Sequence, residues 1–326
     1  MEHDTRLSTA EISQLWASYI QDRFSNCVLK YFLSNVEDEE IRHVLEYTLH
    51  CVQSRIPKLT AFFTKENFPL PQGFSEGEDV DLNAPRLFND TYYLRFLLRE
   101  SNLGLSAYGM ALALSVRSDI VQYYTECLME LAEIHARTTE LLLKKGIYVR
   151  TPSIPLPQEV EFVKKKSFIG GLLGDRRPLT AAEITHLYSN IQRNALGMAT
   201  LVGYSQVAKN HKVKEYFIRG RDIAKKHVEV FSGKLTDEHL PAPMPWDTQI
   251  TESTAAPFSD KLMMFQVTAL NSYGMAYYGT SMSMSPRTDL GAEYGRLILE
   301  VEQYAADGAK IMIEHGWLEQ PPMASD

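Results

Sequence analysis

The chain has 326 residues, 44% of them hydrophobic and 23% charged, which is length for one large domain or two ordinary ones. Its 41 acidic and 33 basic side chains leave a formal net charge of −8, so no global basic field draws it to nucleic acid or anionic lipid. Three cysteines, Cys27, Cys51 and Cys127, lack a CxxC spacing and suit a reducing cytosol better than a disulfide framework.

In chain order, the polar opening MEHDTRLS carries no signal-peptide pattern, which predicts a cytoplasmic protein. Ser8 and Glu11 can form a capping box, with Leu7 and Ile12 as a hydrophobic staple. They open a predicted helix A over about Thr9–Leu33, with Ile12, Leu15, Trp16, Tyr19, Ile20 and Phe24 on one stripe. Helix B follows over about Glu37–Phe62, its acidic start placed at the positive end of the helix dipole. After a Pro/Gly-rich stretch near Phe68–Pro85 comes helix C, about Asp90–Val116, apolar almost all round and expected to be the most buried. Its quiet run Leu103–Val116 is too short to span a bilayer, which takes ~20 residues. Helix D begins at Ser118 or Asp119 and stops at Gly146, a left-handed cap.

The stretch Ile147–Arg177 then runs through TPSIPLP, Lys164-Lys165-Lys166, a short FIGGLLG and Arg176-Arg177. It reads either as a basic, apolar element for a membrane surface or as a solvated connector whose Phe168 and Leu172 tuck between domains. The apolar piece is short and glycine-rich, which favours the connector.

Beyond it the first half is written again. LTAAEITHLY at Leu179–Tyr188 repeats LSTAEISQLW at Leu7–Trp16, with Thr180 and Glu183 as the box. Pro69-Leu-Pro71 matches Pro241-Ala-Pro243, Phe88 and Asp90 match Phe258 and Asp260, and Ser115–Asp119 matches Ser285–Asp289. The shift is 179 − 7 = 172 early and 289 − 119 = 170 late, so the copies differ by about two residues of loop. Helices are predicted over 181–207, 211–232, 259–284 and 289–315, with a second long connection near Leu240–Pro257. A long crossover between second and third helices matches the ferritin-like arrangement. The expected fold is all-α: two tandem ferritin-like four-helix bundles at 7–147 and 178–320, joined by a linker at 148–177.

Di-metal bundles of that kind carry inward carboxylates and Glu-x-x-His pairs holding iron or manganese. Glu40-Ile-Arg-His43 has the spelling, and Glu130 and His135 could extend it. However, His43 lies opposite the apolar face, Asp22 of helix A sits at the stripe's margin opposite Asn194, and helix C supplies only Glu100. No metal or other cofactor is therefore expected, with iron or manganese at Glu40, His43, Glu130 and His135 as the alternative. Arg55 and His227 occupy equivalent places in helix B and point at the apolar stripe, where they must find partners or line a small polar pocket. Gly104, Gly109, Gly274 and Gly279 read as sites of close helix packing. No GxGxxG, GxxxxGK[ST], HExxH or GxSxG is present, and no catalytic residue is assigned.

The doubled L-[ST]-x-A-E-I starts, the PxP after each second helix and the R-[ST]-D starts resemble a tandem ferritin-like family of Bacillus-type spore formers. That family is known as a domain of unknown function, distantly akin to the spore-coat F and ferritin-like group. The resemblance covers about residues 7–320. It implies paired four-helix bundles, a bacterial cytosolic origin and a spore connection, and it brings no catalytic residues. The resulting expectation is a non-enzymatic structural or binding protein linked to sporulation or stress. The alternatives are a di-metal oxidoreductase or metal-binding protein, and a small-molecule binder using a bundle interior. Nucleic acid and membrane are not expected partners; self-association stays open.

Overall fold

The computed structural model describes residues 6–171, 176–243 and 249–324. The N-terminal MEHDT and Leu172, on which two of the expectations rest, lie outside the described residues, as does 244–248 of the second crossover.

All regular structure among the described residues is helical. The first copy holds α1 (Thr9–Asn35), α2 (Glu39–Lys65), a single turn α3 (Glu76–Asp79), α4 (Asp90–Leu114) and α5 (Ser118–Lys144). A 3-10 turn at Lys166–Ile169 interrupts the linker. The second copy holds α6 (Ala181–Val207), α7 (His211–Thr236), α8 (Asp260–Ser283) and α9 (Thr288–Glu314). The chain is a tandem pair of helical bundles, each with its long connection between the second and third of its four long helices.

The helix starts follow the local sequence. The Ser8/Glu11 and Thr180/Glu183 capping boxes are both formed, and Asp38 caps α2 through the N–H groups of Glu40 and Ile41. Past α5 and α9, Gly146 and Gly316 adopt φ +68 and +67, the left-handed cap that costs a side-chain-bearing residue more.

Each box glutamate has a second task that explains the R-[ST]-D motif. Glu11, 1% exposed, accepts the Ser8 N–H at 2.8 Å with one oxygen and the N–H groups of Val116 and Arg117 at 3.1 and 2.9 Å with the other. Arg117 in turn grips Asp119 at 2.7 and 3.0 Å and also pairs with Glu66. Glu183, Arg287, Asp289 and Glu238 repeat the corner, with Arg287 bonded to Asp289 at 3.0 and 2.9 Å and to Glu238 at 2.6 Å. One buried carboxylate thus ties the start of a first helix to the turn before a fourth.

The chain folds as two compact units. One comprises the described parts of Met1–Tyr148, Gln249–Met263 and Ile313–Asp326; the other comprises those of Val149–Thr248 and Met264–Met312. In the first, Leu15, Tyr19, Leu59, Phe63, Ile120 and Tyr124 form the core; in the second, Leu187, Ile191, Phe231, Leu235, Tyr294 and Leu297 do. Each such large apolar side chain contributes roughly 1.5–3 kcal/mol by leaving water. Helix α4 is not the most buried element expected of it, since Met110 and Leu114 stand 60% and 49% exposed. Its apolar girdle runs past the region that neighbours cover.

Within the first unit, the crossover of copy 1 pairs with 249–259. Val80 bridges Phe258 and Phe88 bridges Ile250, both antiparallel. These are equivalent residues in exchanged roles, because 258 − 88 and 250 − 80 are both 170. Tyr31 anchors the pairing: its hydroxyl accepts the Leu87 N–H at 2.9 Å and donates to Pro85 O at 2.8 Å, and its ring meets Phe258 edge-on. Glu319 closes the same region by accepting the Gln72 and Gly73 N–H groups at 2.8 and 3.1 Å.

Of the four glycines read as packing sites, only Gly104 is one: a Cβ there would meet Leu131 at 2.8 Å. Gly109, Gly274 and Gly279 face open space. Tighter than Gly104 are Gly220 and Gly308, where an added Cβ would collide with the Tyr304 and Tyr216 hydroxyls. Those two rings stack at 4.2 Å, and each hydroxyl donates to the other's backbone carbonyl, at 3.2 and 3.0 Å.

Candidate functional site

Four helices of the first copy each send one polar side chain to a common interior point. Asp22 comes from α1, Arg55 from α2, Tyr108 from α4 and Glu130 from α5. The Arg55 guanidinium binds Asp22 through two nitrogens, at 3.1 and 2.8 Å, and Glu130 through the third, at 3.0 Å. The Tyr108 ring lies 5.9 Å from the guanidinium carbon. Asp22 is 1% and Arg55 4% exposed, so both charges are desolvated and depend on each other. Burial opposes the guanidinium's charge, but Asp22 beside it more than compensates and holds Arg55 above the ordinary range. Burial also raises the nearby thiols, Cys51 upward and Cys127 to about 12, so neither is a ready nucleophile.

The second copy builds its cluster at the same four positions: Asn194, His227, Tyr278 and Glu300, displaced by 172, 172, 170 and 170. Tyr278 OH accepts from Asn194 Nδ2 at 2.8 Å and lies 2.9 Å from His227 Nδ1. His227 Nε2 lies 3.3 Å from Glu300, which Lys226 also holds at 2.8 Å. The hydroxyl donating to Nδ1 leaves Nε2–H to donate to the carboxylate, so a neutral imidazole satisfies every group. Burial is the first cause lowering the His227 pKa, only partly opposed by Glu300. For Glu300, partial burial works upward, yet Lys226 and His227 keep it below the usual carboxylate range.

The four metal-ligand candidates are not brought together. Glu40 stands at the α2 start with Lys144 and Lys145, and His43, 75% exposed, faces Glu46 at 3.5 Å. Glu130 is committed to Arg55, while His135 is half-buried with its Nε2 3.5 Å from Thr139 Oγ1. Among the described residues, no group of three His, Cys, Asp or Glu side chains is placed to hold a metal ion. Arg55 and His227 do sit at the centre, as their shared register indicates. Asp22, placed by the helical wheel at the stripe's margin, is fully inside, and Tyr108 and Tyr278 are members that sequence reasoning missed. The available signal was that all four positions are polar in both copies.

The profile of a family described as "Protein of unknown function (DUF3231)" matches residues 1–160 and again 167–326. The chain is a tandem DUF3231 protein. The two DUF3231 matches are separated by 161–166, the segment that contains the three lysines. No curated protein matches the tandem DUF3231 chain. Among solved structures, a Bacillus halodurans C-125 chain, described in provisional terms as a spore coat protein, is similar at 18% identity with a TM-score of 0.41. That similarity covers 48% of this chain and 98% of the other.

Proposed function

We propose that this tandem DUF3231 protein is a non-enzymatic structural or binding protein of the cytoplasm, connected with sporulation or stress and able to associate with the spore. One observation favours this reading over a di-metal enzyme. At the centre of the first bundle the chain's own cation, Arg55, neutralises the inward carboxylates Asp22 and Glu130. A dinuclear centre needs such carboxylates free to balance its ions. In the second bundle a neutral amide and imidazole replace two of the charged groups. The sporulation connection rests on the family resemblance. The rival reading, a di-iron or di-manganese oxidoreductase, makes an opposite prediction for the purified protein. Full-length protein prepared without chelators and dialysed is expected to retain far less than one iron or manganese per chain by elemental analysis. Retention of near-stoichiometric metal would replace this reading with the rival.

A further inference from the structure

The linker between the copies concentrates exposed apolar side chains and positive charge in one short span. Leu156, Val160, Phe162 and Val163 are 91%, 87%, 81% and 63% exposed, and Ile169 is 56% exposed. Lys164, Lys165 and Lys166 follow directly, are exposed, and make no ion pair among the described residues. Residues 147–177 contain six basic and three acidic side chains, a net +3, which leaves −8 − 3 = −11 on the rest of the chain. A cleft of about 710 Å³ opens beside them, lined by Val163, Lys164, Lys165, Ser167, Phe168 and Arg176. Arg177 also lines it, lying 4.1 Å over the Phe168 ring, binding the Phe168 carbonyl at 2.8 Å and pairing with Glu183 at 2.7 and 2.9 Å.

We propose that this element docks the protein on an anionic phospholipid surface. The lysines meet the phosphates, a phosphate-bearing headgroup enters the cleft, and Phe162, Val163 and Ile169 rest at the boundary with the acyl chains; Arg176 already faces Asp289 at 3.8 Å and Asp237 at 3.9 Å. No helix among the described residues is long and apolar enough to cross a membrane, so the contact is peripheral. The occupant follows from the pairing of features. A soluble phosphate would use the cations but not the apolar rim, and an apolar protein groove would use the rim but not the lysines. An anionic bilayer uses both, because lysine stems lie along apolar surface while their ammonium groups reach the headgroups. The reading is independent of what fills the bundle interiors.

The test is vesicle co-sedimentation of the full chain. Binding is expected to phosphatidylglycerol-containing vesicles at low salt, weakened at high salt, and absent with pure phosphatidylcholine. Lys164→Gln/Lys165→Gln/Lys166→Gln should lower partition roughly a hundredfold, since each lysine near an anionic surface contributes about one factor of five. Phe162→Ser/Val163→Ser should lower it about tenfold at unchanged salt dependence. All five side chains are exposed, so the variants are expected to keep the parent's circular dichroism and unfolding midpoint. Equal binding by parent and both variants would overturn the proposal, as would binding to neutral vesicles alone or to neither kind. Displacement by inorganic phosphate, but not by chloride of equal ionic strength, would assign the cleft to a soluble anion and equally overturn it.

Discussion

At the scale of single residues, the two bundle centres solve one problem by different chemistry. Arg55 is a buried cation whose worth lies in what its removal exposes. Arg55→Met leaves Asp22 a desolvated, unpaired carboxylate, and a loss of about 3–5 kcal/mol is expected in urea unfolding of the full chain. Asp22→Leu/Arg55→Met should recover most of it, because Glu130 is 23% exposed and can turn to water. A double variant no more stable than the single one would refute the pairing account. His227 yields a pH prediction. Unfolded histidine titrates near 6.5, whereas buried His227 holds its proton less firmly. The unfolded chain therefore binds more protons below about pH 6.5, so this contribution is complete above that value and is lost as pH falls. His227→Gln should flatten the decline in unfolding midpoint between neutral and mildly acidic pH. Both residues were legible because their register sets them on an apolar stripe in both copies. Asp22 was not: a wheel places a side chain by angle alone and does not show which neighbour closes over it.

At the scale of helices, starts and stops were readable because each rests on chemistry within one turn: the Ser8 and Thr180 boxes, and Gly146 and Gly316. The glycines inside helices were not, since their meaning depends on a partner helix far along the chain. Gly308→Ala should destabilise by about 1–3 kcal/mol, as the new methyl displaces the Tyr216 ring from its stack. Gly109→Ala, facing open space within α4, should instead stabilise by about 0.5–1 kcal/mol. Thermal unfolding of the two variants side by side separates these signs. The crossover pairing left no advance trace either. Two isolated bridges between segments 170 residues apart have no periodicity to betray them, and only the matched Phe88 and Phe258 hinted that the positions mattered.

At the scale of the whole molecule, the duplication was legible because collinear matches accumulate where single ones do not. The electrostatic design of the interiors became legible only with side chains in place, since charge balance is a property of the group. The Tyr216–Gly308 and Tyr304–Gly220 interlock carries this further. Its equivalents in the first copy are Val44 with Thr138 and Ile134 with Thr48, all buried. A large residue against none in one half answers two middling ones in the other. Converting either arrangement into the other one substitution at a time passes through a clash or a void. Chimeras grafting Tyr into position 134 alone should therefore fail, while those that also bring Gly to position 48 should be rescued. The two copies fill the same place by complementary means, so their parts are interchangeable only in pairs.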